Sequence, residues 1–504
     1  MISATYPQVP GGISKMKIII GVNGGVAAIT FCAASFLLHH VSAFRPSTAT
    51  TGRSLLSAPL RSTASGSSSA TLVNIDENAP RDIGALTDWA SACGVQNSDG
   101  FQLATDSSGW PNLGLDVSAV TTEDLPAGSP VLWVPNEMIL SSSRAYQEIL
   151  QLYGPDVLEP AEKLLHSLNA SSQLRHYYLM LKILVEYEKG TDSPWYPWLN
   201  SLPRYYSNAA SMTSFCYKCL PPLVASLAMK ERANLNHLST AKRVPFLSQE
   251  TKGIAELWKW AFQIVYTRSF EPNGGSGGGG DGADDDNAAD ENSWTTTGTD
   301  LLITPMADCF NHGAESDIII QHDEEGNCVV QTIRDVPAGS QLRMQYADPT
   351  NPSFLFARYG FLDESSPATF CKIIIPHVSK ELRDMGYEHN RMLFYADSGE
   401  ASQEVWDVLL YQLLSSNNVS KRRELYKAHM EQDYDTKQRL HQQYFPETSA
   451  KLLQHIDGFL EQLDALSDKA VGRDIKDHPR LPLILRHNEF VRAAFLAVRA
   501  RYFE

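Results

Sequence analysis

The sequence predicts an α+β protein, with a β-rich region that holds a helical insert and an all-helical C-terminal region after it. Short apolar runs separated by glycine and proline turns lie on both sides of the middle of the chain. Between them, apolar residues recur at the three-to-four spacing of helices. Past Pro376 that helical spacing continues over long stretches. With 504 residues, 43% of them hydrophobic, the chain is long enough to bury more than one core.

The individual elements follow from local patterns. Residues 83–92 place Leu86, Trp89 and Ala90 on one helical face, and residues 131–134 form a compact apolar run typical of a buried strand. The other predicted elements are helices at 174–187, 220–228 and 254–266, strands at 317–320, 328–333 and 341–346, and C-terminal helices marked by Val405, Leu409 and Leu413 and by Leu452, Ile456, Phe459 and Leu463.

The N-terminal segment has the composition of a targeting sequence. Lys15 and Lys17 precede an apolar run at 18–38, and no acidic residue occurs before Asp76. This pattern predicts a signal peptide at 1–43 and a plastid transit peptide at 44–75, which together resemble a bipartite plastid presequence leading to the stroma. The alternative is that residues 18–38 remain as a membrane anchor, because a run of this length is able to span a bilayer.

Charge and cysteine content narrow the class of partner. The net charge of −16 is unfavourable for binding DNA or RNA, because protein affinity for nucleic acids comes largely from neutralising phosphates. A basic protein partner is therefore expected, and no nucleic acid.

The chain has seven cysteines, and Cys216 and Cys219 form a lone C-x-x-C pair. Structural zinc sites need four ligands and a second pair is missing, so neither zinc binding nor a redox role is expected.

Residues 273–299 are rich in glycine and aspartate. They lack the Gly-Lys-Ser/Thr of a phosphate-binding loop, and their acids do not follow the spacing of a calcium-binding EF-hand. The composition therefore predicts a disordered surface loop inside the β-rich region.

Polar residues follow the apolar run that begins at Ile303. Taken alone, Asp308, Asn311 and His312 are consistent with capping a strand end, and a metal site is not supported because no further ligands accompany them. Tyr346 and Tyr359 are by themselves compatible with ordinary packing. No Gly-x-Ser-x-Gly nucleophile motif suggests hydrolase chemistry.

The order of several weak signals carries more information than any one of them. Residues 110–115 (Trp-Pro-Asn-Leu-Gly-Leu), 133–135 (Trp-Val-Pro) and 267–270 (Thr-Arg-Ser-Phe) precede the Asp308-x-x-Asn-His segment and the two tyrosines. This ordered set resembles the SET-domain protein methyltransferases, in particular the plant-type group that includes Rubisco large-subunit lysine methyltransferase. The C-terminal stretch from His478 resembles the helical substrate-binding domain of that group.

The resemblance implies S-adenosylmethionine (SAM) as the methyl donor, no metal, and a set of site residues. Tyr346 would be the catalytic residue closest to the transferring methyl, and Asp308, Tyr359 and Arg268 would line the channel for the target amine. The residues implied in SAM binding are Asn112, Leu113, Gly114, Arg268, Asn311, His312, Tyr346 and Phe361. Asn112 stands where the group usually has glycine, and Pro111 where an acid is common.

The resemblance also implies domain limits and a function. A SET domain is expected at 80–363, with the helical insert at about 145–265, and a helical substrate-binding domain at 376–504. The expected activity is protein-lysine N-methylation of a stromal protein such as Rubisco large subunit or fructose-bisphosphate aldolase, without stable membrane association once the presequence is removed. Two alternatives stay open: a protein-histidine methyltransferase, and a non-catalytic SET-derived binding module.

Overall fold

The computed structural model describes residues 70–106, 116–272, 300–370, 379–387 and 392–504. Three predicted features lie outside these ranges: the presequence up to residue 69, the insertion at 273–299, and the segment that contains Asn112, Leu113 and Gly114. Within the described ranges, no helix is both long enough and apolar enough to span a bilayer.

The strands are short and build several small sheets. The largest is an antiparallel four-stranded sheet with the order β1-β4-β9-β8, in which β8 is an edge strand. The described strands are β1 (Gln96–Asn97), β2 (Phe101–Asp106), β3 (Asp116–Thr121), β4 (Pro130–Val134), β5 (Leu140–Ser141), β6 (Leu302–Ile303), β7 (Asn311–His312), β8 (Ile318–His322), β9 (Cys328–Thr332), β10 (Arg343–Met344), β11 (Ala368–Phe370) and β12 (Leu393–Tyr395).

Helices form the insert between β5 and β6 and most of the chain after β12. The described helices are α1 (Ile83–Ala92), α2 (Ser142–Tyr153), α3 (Glu159–Ser167), α4 (Leu174–Glu188), α5 (Tyr196–Ser201), α6 (Ser214–Tyr217), α7 (Pro222–Thr240), α8 (Gln249–Gly253), α9 (Ala255–Arg268), α10 (Pro352–Tyr359), α11 (Lys380–Asp384), α12 (Gln403–Asn417), α13 (Val419–Met430), α14 (Tyr434–Ala470) and α15 (Leu481–Phe503).

The α+β fold class predicted from the sequence is confirmed, and so are most of its elements. The predicted helices match α1, α4, α7 and α9, and the predicted strands match β4, β8 and β9. The strand predicted at 341–346 is shorter, since β10 is only Arg343–Met344. The reason is that Gln345 N donates to Ser316 Oγ and Tyr346 N donates to His312 Nδ1, so side chains take the bonds that a longer strand would offer to its neighbour.

Three apolar clusters hold the described residues together. The first packs α4 and α9 against the sheets of the β-rich region, and the second joins α12, α14 and α15. The third packs α7 and α10 against α14 and α15, and includes the buried, unbridged Cys216 and Cys219. Because α10 carries Tyr359, this third cluster attaches the C-terminal helices to one of the predicted site residues.

The first described residues pack into the folded body. Val73 is 2% exposed, and Arg204 Nε donates to the carbonyl of Asn74. Glu77 forms an ion pair with Arg480 just before α15. Val73 and Asn74 lie inside the segment predicted as transit peptide (44–75) and belong to the folded body, while the presequence itself stays a prediction.

A buried carboxylate, Asp407 on α12, joins the C-terminal helices. Its side chain accepts from His441 Nε2 at 2.6 Å and pairs with Lys437 Nζ at 2.5 Å, both on α14. The Tyr387 hydroxyl also donates to it. Burial alone would raise the pKa of Asp407, but the His441 hydrogen bond and the Lys437 charge outweigh burial and lower this pKa to about 2.

We expect Asp407→Asn to destabilise the protein by about 3–5 kcal/mol at pH 7, because Lys437 loses its buried counter-charge. A carboxyl whose folded pKa lies below its unfolded value stabilises at pH above the unfolded pKa, and this stabilisation is lost as pH falls through the folded pKa. The difference in free energy of unfolding between wild type and Asp407→Asn should therefore shrink by about 2 kcal/mol on going from pH 7 to pH 2. Urea unfolding at several pH values measures this difference. A difference that stays constant with pH would contradict the lowered pKa of Asp407.

Candidate active site

The site begins at the C-terminal end of α9, where Arg268 meets a buried carboxylate. Arg268 Nη1 donates to the backbone oxygen of Asp308 at 2.8 Å and to its Oδ2 at 2.9 Å. Trp198 Nε1 donates to the same Oδ2 at 3.2 Å, and the Asp308 side chain is 1% exposed. Burial opposes the positive charge of Arg268, but Asp308 outweighs it and raises the pKa of Arg268. A fixed positive charge therefore lies in an enclosed site.

A strained turn brings Asp308 to this position. Met306 has φ 72° and ψ −47°, a region that non-glycine residues rarely occupy. The turn is closed by Asp308 N donating to the carbonyl of Thr304 at 2.9 Å. Such conformations cost roughly 1–3 kcal/mol and persist where the surrounding structure enforces them, often at functional sites.

The parallel pair β7–β10 fixes the next group of residues. Asn311 pairs with Arg343 and His312 with Met344. Asn311 Nδ2 donates to the carbonyl of Val117 at 3.3 Å. This register places His312 directly beside the chain that leads from β10 to Tyr346.

His312 is neutral and has a defined tautomer. Burial lowers its pKa, although the nearby Asp363 opposes this effect. Its Nδ1 accepts from Tyr346 N at 3.1 Å, so the ring proton of the neutral form lies on Nε2. Nε2 faces Asp363 Oδ2 at 3.4 Å.

Four rings form an aromatic cluster made of His312, Tyr346, Tyr359 and Phe361. The Tyr346 and Tyr359 ring centroids are 4.9 Å apart, and His312 lies 5.5 Å from Tyr346 and 5.4 Å from Phe361. The Tyr346 hydroxyl donates to the carbonyl of Phe310 at 2.6 Å. Burial raises the pKa of Tyr346, so the phenol is neutral and its oxygen keeps lone pairs free to accept another hydrogen bond.

Gly360 allows Tyr359 and Phe361 to enter the cluster together. It ends α10 with φ 83°, in the left-handed region. A Cβ at this position would lie 2.3 Å from the backbone nitrogen of Asn208. A residue larger than glycine is therefore excluded both by conformation and by contact.

Four of the predicted site residues, Arg268, Asp308, Tyr346 and Tyr359, line a single cavity of about 60 Å³. Asn311, His312 and Phe361 adjoin it without being among its lining residues. The lining residues that the sequence did not single out are Thr267, Ser269, Phe270, Ala307, Phe310, Ile320, Met344 and Gln345. Of these, Thr267, Ser269 and Phe270 belong to residues 267–270, which carry part of the resemblance to SET-domain methyltransferases. That resemblance is the sequence feature from which they could have been predicted.

Two buried polar groups at or beside the cavity lack a well-formed hydrogen bond. Arg268 Nε has no partner, and His312 Nε2 has only the long 3.4 Å approach to Asp363 Oδ2. Buried polar groups in folded proteins nearly always have partners, so these donors are suited to a polar ligand. Among the described residues, no three His, Cys, Asp or Glu side chains are grouped as a metal site would require.

Comparisons with known proteins identify the fold. No protein-family model matches the chain. It aligns with the structure of Rubisco LSMT bound to AdoMet at 15% identity, with a TM-score of 0.51, over 83% of this chain and 91% of that one. The SET domain of LSMT bound to lysine and AdoHcy aligns at 14% identity, with a TM-score of 0.53 and the same coverage. The chain has the fold of these SET-domain structures. The resemblance inferred from the sequence is supported at the level of fold.

Two curated proteins also match. SET domain-containing protein 4 of Artemia parthenogenetica is 26% identical over 201 residues, which are 39% of this chain and 46% of that protein. The actin-histidine N-methyltransferase of Danio rerio is 21% identical over 296 residues, which are 56% of this chain and 42% of that protein. The chain therefore spans less than half the length of the curated relatives it matches.

Proposed function

We propose that this protein transfers a methyl group from SAM to a lysine side chain of another protein. The observation that carries the proposal is the cavity in which the Arg268–Asp308 pair meets Tyr346 and Tyr359, in a chain with the SET-domain fold. Two structures with this fold support the proposal, since one is bound to AdoMet and the other to lysine and AdoHcy.

The residues around the cavity fit SAM. Arg268 Nε is a buried donor suited to a carboxylate, and the rings of His312 and Phe361 lie beside the cavity. Asn311 lies next to them, and Asn112, Leu113 and Gly114 complete the proposed set from the sequence. Bound SAM would supply a sulfonium methyl that an amine attacks in line, so these residues need only hold the donor and orient its methyl toward the cavity.

The target amine must be neutral before it reacts. With an unperturbed lysine pKa of about 10.4, deprotonation costs about 4.6 kcal/mol at pH 7 and about 3.3 kcal/mol at pH 8. The cavity lowers this cost because the apolar side chains of Phe270, Ile320 and Met344 desolvate the amine. The fixed positive charge of Arg268 acts in the same direction, although Asp308 offsets part of it.

Tyr346 would orient the amine. Its hydroxyl proton is committed to the carbonyl of Phe310, which leaves the phenol oxygen as an acceptor facing the cavity. An amine N–H bonded to that oxygen directs its lone pair away from it. Positioning of this kind accounts for the acceleration without a covalent intermediate on the protein.

Lysine is favoured over histidine as the target by the cavity wall. Phe270, Ile320 and Met344 suit the aliphatic stem of a lysine, because burying its methylenes is favourable.

A protein-histidine methyltransferase is the second candidate, because the Danio rerio relative is named for that activity. In that case Gln345 would bond the second ring nitrogen of the target histidine. A non-catalytic binding module remains the third, and it would bind a partner without transferring a methyl group.

The proposed setting is the plastid stroma, and the proposed partner is a stromal protein such as Rubisco large subunit or fructose-bisphosphate aldolase, docked by the C-terminal helices. The acid-free N-terminal segment and the net charge of −16 support a plastid address and a basic protein partner. The Rubisco LSMT structures with the same fold support this choice of substrate class.

The test is incubation of the full-length protein with [methyl-³H]SAM and separate samples of stromal extract, actin and purified aldolase. The labelled protein is hydrolysed and its amino acids are separated. We expect label in methylated lysine of one discrete protein. Label in methylhistidine would favour the second candidate, and SAM binding without label in any acceptor would favour the binding module.

A further inference from the structure

Asn208 contacts the chain on both sides of Tyr359. It is 2% exposed, and its Nδ2 donates to the carbonyl of Arg358 at 3.2 Å. On the other side of Tyr359, the backbone nitrogen of Asn208 lies so close that a Cβ on Gly360 would collide with it. Tyr359 lines the candidate cavity and Asn208 does not. Asn208 therefore supports a residue of the cavity wall from outside the cavity.

Helix α9 holds the side chain of Asn208 in one orientation. Gln263, which lies on α9 and is 2% exposed, donates through Nε2 to Asn208 Oδ1 at 3.0 Å and to Ser211 Oγ at 2.6 Å. Because Oδ1 accepts from Gln263, the donor Nδ2 faces the carbonyl of Arg358. The buried amide is thus bonded to α9 through its oxygen and to α10 through its nitrogen.

The local sequence offers this side chain a different role, which it does not take. Asn208 precedes a 3₁₀ turn at Ala209–Ser211, and an asparagine before a helical turn commonly accepts a hydrogen bond from the first N–H groups of that turn. The Asn208 side chain makes no such bond. Only its backbone oxygen serves the turn, by accepting from Ser211 N at 3.0 Å.

The bond from Asn208 fixes the peptide group that leads into Tyr359. Carbonyls in the last turn of a helix have no partner within the helix, and Arg358 is the penultimate residue of α10. The Arg358 side chain is held separately, since its Nη1 pairs with Glu231 at 2.9 Å and its guanidinium lies over the ring of Tyr266. The contact from Asn208 acts on the backbone, and so it bears directly on the direction of the Tyr359 side chain.

We infer that Asn208 is a positioning residue that fixes the Tyr359 side chain in the candidate cavity and thereby supports methyl transfer. Helix α9 ends at Arg268 and α10 ends at Tyr359, so each helix places its last residue in the wall of the same cavity. Asn208 bonds both helices and keeps these two wall residues in a fixed relation. The inference rests on the proposed function for the role of the cavity.

The test observes Tyr359 itself as well as methyl transfer. The full-length protein is labelled with 3-fluorotyrosine, and the ¹⁹F resonance of Tyr359 is identified by its absence from Tyr359→Phe. Asn208→Leu removes both side-chain bonds at similar volume, and Asn208→Ala is the second variant if leucine prevents folding. Initial rates of transfer from labelled SAM to stromal extract are measured at saturating SAM, and calorimetry measures the Kd for SAM.

We expect Asn208→Leu to shift or broaden the Tyr359 resonance and to lower the transfer rate about tenfold, with less than about a twofold change in the Kd for SAM. Asn488→Leu is the matched control. Asn488 is fully buried on α15, and its Nδ2 also donates to a backbone carbonyl, that of Cys219, at 2.9 Å. Cys219 does not line the cavity, so this variant should leave the Tyr359 resonance and the transfer rate unchanged.

The inference is overturned if the Tyr359 resonance is the same in wild type and in the Asn208 variants, or if transfer is equally fast in them. It is also overturned if Asn488→Leu changes the resonance and the rate as much as Asn208→Leu does. Failure of the proposed function gives a different pattern, in which the Tyr359 resonance responds to Asn208→Leu but the wild-type protein labels no acceptor. In that case Asn208 still positions Tyr359, and only the assignment of the cavity to methyl transfer falls.

Discussion

Tyr346→Phe is expected to lower methyl transfer by about 100-fold while SAM binding changes little. The hydroxyl of Tyr346 donates to the carbonyl of Phe310 at 2.6 Å, and Tyr346 is one of the residues that line the cavity. Phenylalanine keeps the ring and its packing 4.9 Å from Tyr359, so the aromatic cluster should persist. Only the acceptor that orients the amine is removed. Initial rates with labelled SAM, together with calorimetric SAM titration, measure the two effects.

Tyr177→Phe is the matched control. Tyr177 is a buried tyrosine on α4 whose hydroxyl also donates to a backbone carbonyl, that of Ala241, at 2.5 Å. Its loss should cost about 1 kcal/mol of stability without affecting transfer. Equal rates for Tyr346→Phe and wild type would remove Tyr346 from its proposed role, and equal losses in both variants would indicate a general effect of losing a buried hydrogen bond.

Asp308→Asn is expected to destabilise the protein by about 3–5 kcal/mol and to abolish measurable transfer. The carboxylate is buried and holds Arg268 Nη1 at 2.9 Å, so the variant leaves a buried guanidinium without its counter-charge. The Trp198 Nε1 hydrogen bond to Oδ2 is also disturbed. Because Asp308 follows the strained Met306, the released turn should shift the cavity wall as well. Urea unfolding followed by circular dichroism measures the stability.

Glu159→Gln provides the comparison for a surface ion pair. Glu159 and Lys163 lie one helical turn apart, and Glu159 Oε1 is 2.6 Å from Lys163 Nζ. Both side chains are exposed, so removing this ion pair should cost less than about 1 kcal/mol of stability. If Asp308→Asn costs no more than Glu159→Gln, the buried pair does not have the structural role assigned to it.

The sequence predicted those site residues that are distinctive in both type and order. Asp308, Tyr346 and Tyr359 follow one another within one segment of the chain, and the structure brings all three to one cavity with Arg268. The Asn311–His312 pair was predicted to follow a strand and in fact forms the short strand β7, because its partner β10 runs parallel beside it. Asn112, Leu113 and Gly114 lie outside the described residues, so their proposed role in SAM binding stays a prediction.

Other members of the site had no signal in the sequence. Trp198 contacts Asp308 from α5, 110 residues away along the chain, and only tertiary packing reveals it. Phe310 contributes its backbone carbonyl to Tyr346, and any residue type provides that group. Ile320 and Met344 are ordinary apolar strand residues, so neither type nor spacing distinguishes a cavity wall from a core.

The most direct test of the central claim is a single-turnover experiment. The full-length protein is loaded with [methyl-³H]SAM, its bound SAM is quantified, and a lysine-containing acceptor identified from the extract is then added in excess. The account predicts that the bound label moves to a lysine of the acceptor in wild type and moves about 100-fold more slowly in Tyr346→Phe. Bound SAM that transfers no label to any acceptor, or transfers it equally fast in both proteins, would contradict it.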